Sequence, residues 1–186
     1  DFIEMKSDFD SLEDGFTCSR IKKVSNIMTC TPIDKVAQAF PNVQELGIVW
    51  QDAAIDSILD AYKSGKFKQL HSFRLHFTSN SNSIQSMSSL GKVTSISTLQ
   101  ISANYLREYS KIIPELAHLH SVKHLKLEMS EAYCEKVGKQ LADTMKQLET
   151  LEVYGTTLGS LFDDYLTAEK LIHFGSLPKL KTFICK

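Results

Sequence analysis

From Leu119 to Leu127 the apolar residues Leu119, Val122, Leu125 and Leu127 fall at steps of three, three and two. The same steps occur at Phe67-Leu70-Phe73-Leu75 and at Met145-Leu148-Leu151-Val153, and again at Phe40-Val43-Leu46-Ile48, Val93-Ile96-Leu99-Ile101 and Leu177-Leu180-Phe183-Cys185. With the third apolar residue of each unit as reference, Leu46, Phe73, Leu99, Leu125, Leu151 and Phe183 are separated by 27, 26, 26, 26 and 32 residues. A worn earlier copy stands at Ile21-Val24-Ile27, 19 residues before the next. Such a period predicts a stack of similar modules, each shielding the apolar side of its neighbours.

Within a unit, the last two apolar residues are spaced by two, the mark of a short strand with one buried face. The intervening segments favour helix. Ile55, Ile58, Leu59 and Tyr62 keep helical spacing up to Gly65, where a helix would stop. Leu106, Tyr109, Ile112 and Leu116 do the same around Pro114, Ser130 can cap a helix carrying Cys134, Val137 and Leu141, and Ser160 with Asp163 forms a capping-box pattern. The Ser- and Asn-rich run Thr78–Ser89 dissents and reads as a loop or a frayed helix. At the start, Phe2, Met5, Phe9, Leu12 and Phe16 recur at steps of three and four, with acids between them. Two readings stay open for residues 1–20: a helix capping the first repeat, or a flexible acidic segment that docks elsewhere. The repeat array proper covers 21–186.

The pattern L-x-x-L-x-x-L-x-L, followed by an amphipathic helix every 26 residues or so, resembles the leucine-rich repeats of intracellular proteins such as ribonuclease inhibitor and F-box substrate receptors. The Asn or Cys that the family carries shortly after the strand has its nearest candidate in Asn104. The resemblance implies an α/β leucine-rich-repeat solenoid, with parallel strands on a concave face, helices on a convex face and a macromolecule as ligand. It implies a noncatalytic protein-protein recognition module, such as the substrate-recognition part of a ubiquitin-ligase adaptor whose F-box is absent from this chain. The alternatives it leaves are the ligand-sensing or autoinhibitory repeats of a nucleotide-regulated receptor, and a constitutive scaffold subunit.

If the third and fourth apolar residues of each unit point inward, their neighbours point out. The position before the third is Glu45, Ser72, Thr98, His124, Thr150 and Thr182; between lie Gly47, Arg74, Gln100, Lys126, Glu152 and Ile184; after come Val49, His76, Ser102, Glu128, Tyr154 and Lys186. The expected partner-binding residues are Arg74, His76, Gln100, His124, Lys126, Glu128, Glu152 and Tyr154, with Trp50 and Phe77 at the edge. A mixed-charge surface flanked by aromatics suits a protein better than a small molecule. The competing reading is that these side chains only solvate the sheet, with Lys126 pairing Glu128 or Glu152, and that Trp50 is half-buried.

Composition adds exclusions more than direction. The net charge of −1 exerts no pull toward nucleic acid or an anionic membrane, although Asp1–Gly15 alone carries −5. Lys22-Lys23 and Lys63, Lys66, Lys68 are short basic groups, and a phosphate-tracking groove needs more positive charge on one face, so nucleic acid is not the expected partner. Cys18, Cys30, Cys134 and Cys185 are scattered and read as reduced thiols. With no glycosylation acceptor and no membrane-length apolar run, an intracellular protein, cytoplasmic or nuclear, is expected. The absence of a starting Met suggests a piece of something longer, and a last strand with no capping helix after it suggests further chain, a packed partner or self-association. His120 and His124 have a metal-ligand interval on a helix, but the frame of Leu119, Val122 and Leu125 sets them in an extended run with no HExxH. Asp163-Asp164 are adjacent and diverge on a helix, Cys18 and Cys134 lack a nucleophile signature, and no phosphate-binding Gly motif occurs. No catalysis, metal or cofactor is expected.

Overall fold

In a parallel strand pair the backbone hydrogen bonds must be matched by a crossover, and the helices between the apolar pairs of this chain supply it. The computed structural model describes residues 2–4, 15–27, 32–49, 52–77, 85–103, 106–129, 134–155 and 172–185. Its strands are β1 (Phe2–Glu4), β2 (Lys23–Ile27), β3 (Glu45–Val49), β4 (Ser72–Phe77), β5 (Thr98–Ala103), β6 (His124–Met129), β7 (Thr150–Gly155) and β8 (Thr182–Cys185). They form one eight-stranded sheet in chain order, and every pairing is parallel. The architecture is therefore α/β.

Among the described residues, four α-helices lie between strands: α1 (Ile33–Ala39), α2 (Asp52–Lys63), α3 (Leu106–Glu115) and α4 (Cys134–Thr144). Helix α2 ends where its sequence says it should. Gly65 adopts φ +74°, and the amides of Gly65 and Lys66 donate back to the carbonyls of Tyr62 and Ala61, closing the helix with a left-handed residue that only glycine takes without strain. Of the Ser- and Asn-rich run read as a loop or a frayed helix, residues 78–84 lie outside the described residues, and from Gln85 to Lys92 the chain forms a 3₁₀ segment. Two further 3₁₀ turns, Leu116–His118 and Phe174–Ser176, precede β6 and β8. Helix α1 buries Ile33, Val36 and Ala37 at the i, i+3, i+4 spacing of a helix, a further element between β2 and β3.

The interior column is regular. Leu46 pairs with Phe73, Phe73 with Leu99, Leu99 with Leu125, Leu125 with Leu151 and Leu151 with Phe183. These residues form one core with Val36, Ile58, Ile112, Val137 and Leu141 of the helices, so the helices cover this face of the sheet. The approach to each strand also repeats. The carbonyl of Lys123 accepts from the amides of Glu149 (2.8 Å) and Thr150 (3.0 Å), and Lys22, Gln44, His71, Ser97 and Glu149 do the same for the next strand along.

Two expectations are corrected. Phe2–Glu4 pairs alongside β2 as a strand, so the expected helix does not begin there: the outer edge of β2 offers unpaired backbone groups that a strand satisfies and a helix does not. Phe77 is fully buried, because it continues the inward alternation of Phe73 and Leu75 and so cannot flank an exposed surface. Residues 5–14, Trp50, Asn104, Ser130, the Ser160–Asp163 capping pattern and Lys186 lie outside the described residues.

Candidate functional site

Strand alternation sends every second side chain to the face opposite the helices, and the register places these side chains in rows. Gly47, Arg74, Gln100, Lys126, Glu152 and Ile184 are successive neighbours across β3 to β8. Val49, His76, Ser102, Glu128 and Tyr154 form the next row, and Glu45, Ser72, Thr98, His124, Thr150 and Thr182 the one before it. All eight described candidate residues therefore share one face. All-parallel sheets usually have both faces covered; here Arg74, Gln100, Lys126 and Glu152 remain partly accessible and His124 is exposed.

The polar groups on this face largely satisfy one another. Arg74 donates from Nε to Gln100 Oε1 (3.1 Å) and places a terminal nitrogen 3.4 Å from Glu45 Oε1, which Lys23 also meets at 2.7 Å. Gly47, Arg74's neighbour on β3, has no side chain to obstruct that reach. A Cβ there would lie 2.8 Å from Ser25 Cβ and 3.0 Å from Ser25 Cα, so the position admits little else. Ser25 is pressed close by an irregularity in β2, where Asn26 takes φ 61° and the pairing with β3 shifts between Val24 and Ile27.

Farther along, Lys126 Nζ is 3.3 Å from Glu152 Oε1, and the Tyr154 hydroxyl donates to Glu152 Oε2. That hydrogen bond, then burial, then the Glu152 charge push the Tyr154 phenol above its ordinary pKa. His76 Nδ1 and Ser102 Oγ are 3.3 Å apart. Glu128 contributes its backbone carbonyl, which accepts from the buried Tyr109 hydroxyl of α3.

Immediately before the strands, Glu149 sits between Lys181 Nζ (2.7 Å) and Lys123 Nζ (3.1 Å). The hydrogen bond from Lys181, then that from Lys123, then their charges pull the Glu149 carboxyl down to about 2. This cluster was missed in the sequence, although Lys123, Glu149 and Lys181 occupy the same place in three successive units. Among the described residues, no group of three His, Cys, Asp or Glu side chains could hold a metal ion, and no helix is long and apolar enough to cross a membrane. The sequence matches no family model and no curated protein.

Proposed function

We propose that the chain is a noncatalytic recognition module of the leucine-rich-repeat kind, binding a protein partner on the face of the sheet that the helices leave open. The observation that carries this reading is the one-sided parallel sheet. Its interior column is filled in register by large apolar residues, while its other face presents rows of paired polar side chains. Adjacent strands sit about 4.8 Å apart and packed helices about 8–10 Å apart, so where helices α1 to α4 join successive strands the wider helix layer bends the sheet with its strands on the inside. That mismatch supports a solenoid with the open face concave, and an inner surface of this kind wraps a macromolecule more readily than it encloses a small molecule.

The ion pairs support recognition through their geometry. Lys126 and Glu152, and Arg74 with Gln100 and Glu45, hold each other in defined orientations, which lowers the entropy lost when a partner docks. Their contribution to fold stability is small, about 0–1 kcal/mol for an accessible pair. Charge reversal at Arg74 and Lys126 together should abolish capture of a partner from lysate with the melting temperature nearly unchanged. The matching double reversal on the helix side, Asp60→Lys with Lys139→Glu, should leave capture intact. Equal capture by both variants moves the binding surface off the open face.

A further inference from the structure

The charge of this chain is unevenly placed along the strand direction. Across the segments that lead into β2–β8 (17–23, 40–45, 64–72, 91–98, 116–124, 144–150 and 174–182), ten Lys and Arg stand against two Glu, in a chain of net charge −1. The parallel register brings these segments side by side along one rim of the sheet. Lys22, Lys68, Lys123, Lys146, Lys179 and Lys181 are all exposed there. Favourable placement of cations at or just past helix C-termini explains Lys66, Lys92 and Lys146. It does not explain the others, which belong to the turns and strand approaches beyond the helix ends.

The two carboxylates on the rim show what it does to an anion. Lys123 and Lys181 grip Glu149, and Lys23 and Arg74 grip Glu45, so each carboxylate is shared by two cations and each cluster keeps an excess positive charge. We propose that this rim binds an acidic, extended segment of the protein partner, laid across the strand starts from β2 to β8. The inference rests on the open-face reading, whose lower border the rim forms. Six strand spacings are about 29 Å, a length that roughly nine extended residues cover. A peptide can set Asp and Glu opposite Lys68, Lys146 and Lys179 and smaller residues opposite Glu45 and Glu149. A nucleic-acid backbone carries its charge at every step and cannot make that accommodation, and the rim segments expose no Phe, Tyr or Trp beside these lysines, their exposed rings being the imidazoles of His71, His118, His120 and His124.

Selection from a phage-displayed library of random peptides about 12 residues long, panned on the full chain, tests this. Enrichment of Asp- and Glu-rich sequences is expected. A synthetic peptide of the enriched consensus should bind more weakly as salt rises, and about tenfold more weakly to the folded variant Lys123→Gln, Lys146→Gln, Lys179→Gln, Lys181→Gln. No enrichment, a neutral, apolar or basic consensus, or tighter binding of a mixed-sequence RNA oligonucleotide than of the acidic peptide would overturn the proposal. If the acidic preference is absent while partner capture still depends on Arg74 and Lys126, the rim assignment falls and the open-face reading stands. If neither set of substitutions matters, both fall.

Discussion

The two faces of the same strands obey different rules. On β6, Leu125 and Leu127 are fully buried, while Lys126 between them is partly exposed and Glu128 beyond them lies on the open face. Inward positions across β3 to β7 hold Leu, Phe, Leu, Leu and Leu; outward positions beside them hold Gly, Arg, Gln, Lys and Glu. Packing against the helices fixes size and polarity within a methylene or two. Solvent or a partner imposes no such uniformity, so identity is free to change from strand to strand on the open side. The sharpest way to break this comparison is to truncate one residue on each face. Leu125→Ala should cost about 2–5 kcal/mol and speed hydrogen exchange in both neighbouring units, whereas Lys126→Ala should cost no more than about 1 kcal/mol in urea unfolding. Similar losses for the two would mean that the faces do not differ as described.

One outward position follows the inward rule. Gly47 belongs to the open row, yet the irregular β2 brings Ser25 so close that a methyl at position 47 has no room, and the obstructing atoms include backbone Cα. Gly47→Ala should therefore destabilise by about 1–3 kcal/mol, the usual cost of overpacking, and loosen the ion pair between Arg74 and Glu45. A neutral Gly47→Ala, measured by thermal unfolding, would place β2 farther from β3 than the structure does.

The period of 26 made most of the fold legible, because a hydrophobic step sequence of three, three and two encodes both the turn and the strand that follows it. The rows of the open face then followed from alternation alone, including the juxtaposition of Arg74, Gln100, Lys126 and Glu152. Less legible were features set by neighbours in space. Phe2 begins a stripe at helical spacing, but the free edge of β2 made a strand of Phe2–Glu4. No Asn ladder marks the strands, but a different polar column stands one residue before the second apolar position of each unit. There Asn42 donates to Ser19 O (3.0 Å), Gln69 to Asn42 Oδ1 (3.3 Å), Ser95 to Leu70 O (2.7 Å) and Gln147 to Leu119 O (3.0 Å). Asn, Gln, Ser and Gln at one repeat position were the available signal. It was weak because three kinds of side chain perform the same task of bridging one unit's turn to the turn before it.

The smallest effect sharpens the comparison on its polar side. Glu149 titrates near 2 instead of 4.5 because Lys181 and Lys123 bond to its ionised form. The folded protein therefore holds that proton less tightly than the unfolded chain does. The resulting stabilisation is complete above about 4.5 and is lost as pH falls from there toward about 2. The cluster faces solvent, so salt screens it and its magnitude is slight. The difference in melting temperature between the protein and its Glu149→Gln variant should be constant above pH 4.5, shrink as pH drops through that window, and shrink at every pH when salt is raised. A difference indifferent to both pH and salt would mean that Lys123 and Lys181 do not close on Glu149 in solution, and the rim would then lose its built example of a carboxylate held between two cations.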